Sequence, residues 1–410
     1  MVPVRYENQQ HNLLALVVKG QGPNLFGRDW LRVIKMNWAL IFQINECRPC
    51  SELKEFLETH KEVLTEELGT LEGTTAKIYA NQDAQPKFVK ARPIPFAMKI
   101  PLEQELERLK REGIISPVEF SDWASTIVTV AKPDGLVRVC GDYKATINQA
   151  SKLDNYPIPK TEDLLTTLSG SQKFTKLDMS QAYQQLRLDE ESKKYTTINT
   201  HKGLYQYNRL PFGISSAPGI FQRTLENLLQ GIPSVIVRVD DILVGGKDDA
   251  DHLSNLNAVL TRLSGAGLRL KKIKCCFMAS DVTYCGYGIN KNGIHPVVEK
   301  VEAIAKAPEP ENINQLRSFL GMLNYYHRFL PNVATILEPL HRLLRQGTKW
   351  EWGEEQKATF DYAKELLQSA DLLIHFDPTK PLILATDASN YGVGAVLSHV
   401  FPDGTEKPIA

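Results

Sequence analysis

The sequence lacks the marks of a secreted, membrane-spanning or disulfide-stabilised protein. Its amino terminus has no apolar core behind a basic start, so it is unlike a secretory signal. The longest early apolar run, Leu13–Val18, is far shorter than the ~20 residues that a membrane helix needs. Six cysteines among 410 residues are too few for a disulfide scaffold. We therefore expect an intracellular protein, in the cytoplasm or the nucleus, that does not use a membrane.

An excess of charge of one sign is also missing. The chain has 48 Lys and Arg residues against 48 Asp and Glu residues, which gives a formal net charge of zero. This balance alone argues against a surface coated with basic residues for nucleic acid, although an average can conceal a local basic groove. Cys47 and Cys50 have the spacing of zinc ligands, but no second pair follows at finger distance, so a zinc site is not favoured.

Helical and strand patterns follow one another without regular alternation. Pro101–Glu112 predicts a helix that begins at its proline, because Leu102, Leu106 and Leu109 share one face. Further predicted elements are a helix at 52–68, a polar linker at 69–85, a hairpin at 126–139, short strands at 174–177 and 235–239, helices at 253–263 and 316–323, and a hairpin at 380–400. This mixture predicts an α+β fold.

Two adjacent aspartates, Asp240 and Asp241, stand between apolar runs, as they would at the tip of a buried hairpin. A third, Asp178, closes a similar apolar run 62 residues earlier. If the two strands are neighbours, three carboxylates meet, and such hard oxygen ligands suit Mg²⁺. Two such ions can activate a hydroxyl and stabilise a leaving oxygen in phosphoryl transfer. The alternative, from this pair alone, is an ordinary solvated turn.

Motifs around these acids resemble the reverse transcriptases of Ty3/gypsy-type long-terminal-repeat retrotransposons. The motifs, in chain order, are Ile115-Ser-Pro117, Ser121-x-Trp123, Lys132-Pro-Asp-Gly135, Asp142-Tyr143, Phe174-x-x-Leu-Asp178, Ala182-Tyr183, Arg209-Leu-Pro-Phe-Gly213, Ser216-Ala-Pro218, Phe221-Gln222, Val239-Asp-Asp-Ile-Leu243 and Tyr284-x-Gly286-Tyr287. The resemblance covers roughly residues 86–345. It implies a right-hand polymerase with fingers, palm and thumb.

The resemblance also implies an RNA-directed DNA polymerase that adds deoxynucleotides to a primer 3′-OH on an RNA or DNA template. In this family the aspartates that match Asp178 and Asp240 bind two Mg²⁺ ions, and the one that matches Asp241 supports the site less directly. Besides dNTPs and a template–primer, the expected partners are the remaining segments of a retroelement polyprotein.

The nucleotide-binding residues implied by the resemblance lie on the fingers and palm. Lys132 and Arg138 match basic residues that hold the incoming triphosphate, which needs charge neutralisation opposite the metals. Tyr183 matches the aromatic gate that excludes a ribose 2′-OH, and Phe212 lines the same pocket. Without the resemblance, Lys132 would be a surface lysine and Tyr183 a packing residue.

Tyr284, Gly286 and Tyr287 match the hairpin that grips the primer end. The segment 269–274 is rich in lysine and arginine and contains no acid, so it could follow a phosphate backbone beside the thumb. As a lone feature, the same run would more often be a solvated face.

The two ends resemble neighbouring enzymes of the same polyprotein. Gly20–Leu31 resembles the end of a retropepsin, but no catalytic Asp-Thr/Ser-Gly accompanies it, so we expect no protease activity. Asp387 lies in a hairpin that resembles the start of a ribonuclease H domain, and one acid cannot hold a two-metal site. We therefore treat Asp387 as vestigial and expect no RNase H or other nuclease activity.

The expected domains are a retropepsin-like remnant at 1–40, a linker at 41–85, fingers and palm at 86–270, primer grip and thumb at 271–345, and a connection with a truncated RNase H-like domain at 346–410.

Arg238 departs from the family pattern, which has an aromatic residue two positions before the first paired aspartate. Strand alternation would put Arg238 and Asp240 on one face, where a guanidinium could pair with the carboxylate and compete with Mg²⁺. The alternative function is therefore a catalytically impaired nucleic-acid-binding remnant.

Overall fold

The structure is a computed structural model that describes residues 2–6, 9–13, 51–131, 137–152, 156–179, 181–369, 372–388 and 393–409. It divides into two compact units, residues 1–50 and 51–410. In the first unit, β1 (Val2–Tyr6) pairs antiparallel with β2 (Gln9–Leu13). The retropepsin-like motif at 20–31 and the pair Cys47 and Cys50 lie outside the described residues.

The second unit mixes strands and helices as the sequence predicts. Its strands are β3 (Ile115–Val118), β4 (Thr126–Ala131), β5 (Val137–Asp142), β6 (Lys173–Asp178), β7 (Ile198–Thr200), β8 (Gly203–Tyr207), β9 (Val235–Arg238), β10 (Asp241–Gly246), β11 (Cys276–Ala279), β12 (Asp281–Tyr284), β13 (Tyr287–Asn290), β14 (Gly293–Pro296), β15 (Leu382–Ala388), β16 (Val393–Val400) and β17 (Glu406–Pro408). Its helices are α1 (Ser51–Thr59), α2 (Phe96–Arg111), α3 (Ile147–Ala150), α4 (Thr161–Thr166), α5 (Glu190–Lys193), α6 (Ala217–Leu229), α7 (Asp249–Gly265), α8 (Val298–Ala305), α9 (Ile313–Tyr325), α10 (Val333–Ile336), α11 (Glu338–Arg342) and α12 (Glu354–Gln368).

The central sheet is antiparallel with strand order β11-β6-β10-β9. Side chains alternate across it, so each strand contributes to two different cores. Leu177 and Ile242 belong to a core that includes side chains of α6 and α7. Phe174 and Leu243 point the other way, into a second core that includes the β12–β14 sheet and helices α8 to α12. The sheet is therefore covered on both faces, and the palm and thumb share it.

The fingers contain the predicted β4–β5 hairpin, with Val128 opposite Cys140, and a second sheet of order β3-β8-β7. Helix α2 packs beside them through Leu102, Leu106 and Leu109. This helix begins at Phe96, so the prediction that it starts at its proline is wrong. Pro101 lies inside the helix, where it cannot donate a backbone hydrogen bond to the carbonyl of Ala97.

Residues 51–85 are part of the polymerase core, so the prediction of a linker is wrong for this segment. Leu53, Val63 and Ile78 are buried in the first core. The backbone N–H of Leu71 donates to the carbonyl of Gln185 over 2.8 Å. The polar composition of 69–85 suggested a linker because its few apolar side chains are widely spaced in the sequence.

The predicted hairpin at 380–400 is confirmed as β15 and β16, and β17 adds a third strand. One edge of this sheet, β15, is exposed along its whole length. Its link to the rest of the unit includes a bridge between Ile294 and Leu373 just before it. Among the described residues, no helix is long and apolar enough to cross a membrane.

Candidate active site

The β9–β10 connection is a two-residue turn that carries the first of the paired aspartates. Arg238 and Asp241 are cross-strand partners, and Val239 and Asp240 form the turn between them. Val239 has a φ of +55°, which is strained for a β-branched residue and costs on the order of 1–3 kcal/mol.

The strained turn is held by the buried side chain of Gln222 on α6. The backbone N–H of Val239 donates to Gln222 Oε1 over 2.5 Å, and Gln222 Nε2 donates to the carbonyl of Val237 over 2.7 Å. The sequence motif contained Gln222 but gave no reason to assign it a role, because its partners are backbone groups.

The three aspartates are arranged around this turn. Asp241 lies directly opposite Asp178 on the neighbouring strand, and Asp240 is exposed in the turn itself. Burial raises the pKa of Asp241, and the negative charges of Asp240 and Asp178 add to this increase, while the ammonium group of Lys176 opposes it. Mutual repulsion of this kind is what a bound cation relieves.

Two lysines supply positive charge at the carboxylates. Lys176 Nζ lies 3.5 Å from Asp241 Oδ1, and Lys274 Nζ lies 3.5 Å from Asp178 Oδ1. Carboxylate oxygens are the ligands that Mg²⁺ prefers, and in the protein alone these two carboxylates contact ammonium groups instead. Within the described part of the chain, however, no three Asp, Glu, His or Cys side chains converge enough to hold one metal ion as they stand. Sequence reasoning missed Lys176, although it stands two residues before Asp178 and alternation puts it on the same face.

The predicted nucleotide-binding residues lie together beside the turn. The ring centroids of Tyr183 and Phe212 are 5.1 Å apart, and the guanidinium carbon of Arg138 lies 5.6 Å from the Phe212 ring centroid. Burial, together with the charge of Asp240, raises the pKa of Tyr183 to about 12. Lys132 lies outside the described residues, so its predicted contact with a triphosphate stays a prediction.

Two glycines allow the close packing of the fingers strand against the Phe212 turn. Gly213 has a φ of +99°, and a Cβ there would lie 2.5 Å from the carbonyl oxygen of Gly141. A Cβ at Gly141 would lie 2.3 Å from Cζ of Tyr143. Gly141 thus makes room for the buried ring of Tyr143.

The predicted primer-grip residues form the β12–β13 hairpin. Its turn residues Cys285 and Gly286 both have positive φ, as a type I′ turn requires. Tyr325 on α9 donates to the carbonyl of Cys285, and Tyr326 donates to that of Gly286 over 3.1 Å. These bonds fix the hairpin to the thumb.

The hairpin is also tied to strand β10, which begins at Asp241. The hydroxyl of Tyr284 donates to the backbone carbonyl of Asp241 over 3.4 Å. The Tyr287 ring stacks on Tyr325, with centroids 5.2 Å apart and an interplanar angle of 14°. The residues predicted for the primer and those predicted for the metals therefore adjoin one another.

Arg238 does not take the position that alternation predicted. Strand β9 ends at Arg238 and the turn follows at once, so its same-face neighbour is Asp241 and alternation no longer relates it to Asp240. The guanidinium hydrogen-bonds to the side chain of Cys285 in the primer-grip turn, which raises the pKa of Arg238. The expectation of an ion pair between Arg238 and Asp240 is wrong.

Asp387 lies apart from these residues, on strand β15 opposite Gly394. Its Oδ1 accepts a hydrogen bond from the backbone N–H of Ala388 over 2.8 Å. No group of three metal-binding side chains surrounds it within the described residues.

Comparison with known protein families agrees with this arrangement. Residues 130–289 match the family described as reverse transcriptase (RNA-dependent DNA polymerase). Residues 352–410 match the RNase H-like domain found in reverse transcriptase. The chain therefore contains a reverse transcriptase domain followed by an RNase H-like domain.

Sequence comparison also finds similar retrotransposon polyproteins. The transposon Tf2-3 and Tf2-4 polyproteins of Schizosaccharomyces pombe are each 32% identical over 359 residues, which is 87% of this chain. The chain spans 27% of the length of these curated relatives. Its relatives are thus polyproteins of Ty3/gypsy-type retrotransposons, and residues 130–289 carry the reverse transcriptase match.

Solved structures with the same fold include two of the foamy viral protease–reverse transcriptase. One, in complex with double-stranded DNA, matches with a TM-score of 0.81 at 24% identity and covers 96% of this chain and 69% of its own. The other, in complex with an RNA/DNA hybrid, matches with a TM-score of 0.79 at 24% identity and covers 96% and 53%. The right-hand polymerase fold predicted from the sequence is confirmed.

Proposed function

We propose that this chain is an RNA-directed DNA polymerase that transfers nucleotides from dNTPs to a primer 3′-OH on an RNA or DNA template. The observation that carries the proposal is the pairing of Asp178 with Asp241 across β6 and β10, with Asp240 in the adjoining turn. These acids border both the Tyr183–Phe212 pair and the primer-grip hairpin.

Asp178 and Asp240, supported by Asp241, would hold two Mg²⁺ ions, which activate the primer hydroxyl and neutralise the leaving pyrophosphate. Lys176 and Lys274 balance the carboxylate charges in the protein alone.

The remaining residues of the site bind and orient the substrates. Arg138 faces the pocket over Phe212 and would neutralise triphosphate charge, as would Lys132. Tyr183 is packed between Phe212 and Phe221 and would exclude a ribose 2′-OH by contact with the sugar. The turn at Gly286 would place the primer end against the carboxylates.

Template-directed primer extension with Mg²⁺ and four dNTPs tests the proposal. We expect the chain to extend a DNA primer on an RNA template, and Asp240→Asn to lower the rate by at least about 100-fold, since a metal ligand is lost. Asp361→Asn, which removes an exposed carboxylate on α12, is the matched control and should extend normally. Extension that survives Asp240→Asn would contradict the metal assignment.

A nucleic-acid-binding protein without polymerase chemistry is the second candidate. It is favoured by the two lysines on the carboxylates and by the lack of a converged three-ligand cluster among the described residues. Duplex binding without any extension would support it. Neither protease nor RNase H activity is expected from this chain.

A further inference from the structure

Arg238 stands between the two turns that build the active site. It is the last residue of β9, on the same face as Ile236, whose side chain is buried in the second core. Its guanidinium reaches the thiol of Cys285, at the tip of the primer-grip hairpin. A thiol is a weak, uncharged acceptor, so this contact does not neutralise the positive charge of Arg238.

Further cations and aromatic rings surround the same turn. Lys300 Nζ lies 5.7 Å from the ring centroid of Tyr325, and the guanidinium carbon of Arg328 lies 5.9 Å from that of Tyr287. Tyr325 is 44% exposed. In the described part of the chain, neither Arg238 nor Lys300 pairs with a carboxylate. We call Arg238, Lys300, Arg328 and Tyr325 the primer-side patch.

The position of the primer-side patch determines what it can bind. Tyr284 links the hairpin to Asp241, so the patch adjoins the catalytic acids. A strand whose 3′-OH reaches those acids must run past the hairpin turn with its phosphodiesters nearby. Arginine suits such groups because its planar fork of donors matches phosphate oxygens.

We propose that the Arg238 guanidinium binds a phosphodiester of the primer strand next to its 3′ end, with Lys300 as a second cation for the same strand. The inference rests on the proposed function and assigns Arg238 a role in substrate binding. Arg238 then adds affinity for the primer by its positive charge. Its pairing with the thiol is exchanged for phosphate when the strand enters.

The test measures equilibrium binding of the full chain to a fluorescein-labelled RNA/DNA primer–template without dNTPs, between about 50 and 200 mM KCl. Each phosphate contact contributes about 0.9 to the slope of log Kd against log salt for a duplex. We expect Arg238→Met to lower this slope by about 0.9 and to weaken binding about tenfold at low salt. Arg238→Lys should restore most of the slope.

Arg262→Met is the matched control, because it removes the same charge from α7, on the opposite face of the sheet. Arg262 bonds to the carbonyls of Leu228 and Gln230. This variant should keep the wild-type slope, and thermal melting checks that each variant is folded.

Three results would overturn the inference: an unchanged slope in Arg238→Met, an equal drop in Arg262→Met, or no duplex binding by the wild type. Primer extension separates the two claims. A raised KM for primer–template with unchanged kcat supports phosphate binding, whereas a lower kcat with an unchanged salt slope would mean that Arg238 only supports the catalytic turn. Binding with the expected slope but no extension would contradict the proposed polymerase and leave this inference standing.

Discussion

The imidazole of His252 is buried between α7 and the central sheet, where Thr175 Oγ1 lies 2.8 Å from its Nε2. Burial lowers the pKa of His252 to about 4, against the opposing effects of a hydrogen bond with the backbone of Lys173 and of the charges of Asp249 and Asp251. The folded protein therefore keeps this histidine neutral where an unfolded chain would protonate it. Because Thr175 is two residues before Leu177 on the strand that ends at Asp178, this polar contact bears on the sheet that carries the site.

We predict that His252 makes the fold acid-sensitive. Its folded pKa is below the unfolded value, so its stabilising contribution is complete above about pH 6.5 and is lost as the pH falls toward 4. The shift corresponds to about 3 kcal/mol between those limits. Urea unfolding at several pH values should show the stability difference between wild type and His252→Gln shrinking by about this amount. A difference that stays constant from pH 7 to 4 would contradict the prediction.

At the residue scale, the sequence predicts groups whose chemistry is specific and misses groups whose role depends on contacts. Asp178, Asp240 and Asp241 were predicted as metal ligands because carboxylates beside apolar strands need a cation. Gln222 was missed because its side-chain oxygen and nitrogen both bond to backbone groups. The pattern of side chains in a sequence does not reveal such contacts. The predicted pairing of Arg238 with Asp240 was wrong because the strand ends at Arg238, so strand alternation does not extend to Asp240 in the turn.

At the scale of elements, the two hairpins of the site use different means to form tight turns. The β9–β10 turn forces Val239 to a positive φ and relies on Gln222 to hold it. The β12–β13 turn uses Gly286, where a Cβ would lie 2.4 Å from Tyr325 Oη. The glycine is therefore required both by backbone conformation and by the close approach of α9.

We predict that Gly286→Ala destabilises the protein more than an alanine at another glycine of similar backbone conformation. Gly404 has a φ of +80°, close to the +78° of Gly286, but a Cβ there meets nothing within 4 Å. Both substitutions carry the cost of a positive φ, about 1 kcal/mol, and only Gly286→Ala also displaces Tyr325. Thermal melting should rank wild type, Gly404→Ala and Gly286→Ala in order of falling Tm. Equal losses would contradict the role of Tyr325 as a clamp.

Most elements were predictable from periodicity, and their boundaries were less so. The helices α7 and α9 and the β4–β5 and β15–β16 hairpins were expected from apolar spacing. The start of α2 was predicted wrongly because proline favours the first turn of a helix. In the structure five helical residues precede Pro101, and two of them, Phe96 and Ile100, are exposed apolar residues.

At the scale of the whole molecule, residues 51–85 are bound to the palm by hydrogen bonds and belong to it structurally. Arg209 donates to the carbonyl of Gly69 over 3.0 Å and to Thr70 Oγ1 over 2.8 Å. The N–H of Ala76 donates to the carbonyl of Arg187 over 2.7 Å. These bonds brace the segment that carries Tyr183 and the turn that carries Phe212.

We predict that a chain beginning at Ser51 folds and that one beginning at residue 86 does not. The shorter chain loses several buried apolar side chains, such as Leu53, Val63 and Ile78, and each contributes roughly 1.5–3 kcal/mol to stability. Together with the lost hydrogen bonds, these contributions exceed the free energy of unfolding of a typical domain, about 5–15 kcal/mol. Circular dichroism and a cooperative unfolding transition distinguish the outcomes. A cooperatively folded chain from residue 86 would restore the linker interpretation.

The alternation of side chains across the central sheet fixes the register of β10 with β6. Asp241 faces Asp178 only in one alignment of β10 with β6, and the same alignment sends Ile242 and Leu177 to the helices. Slipping one strand by one residue would drive its carboxylate into the apolar layer and bring Leu177 or Ile242 to the face that carries the acids. A misaligned palm would thus be unstable, so the burial of the apolar side chains also fixes the placement of the three acids.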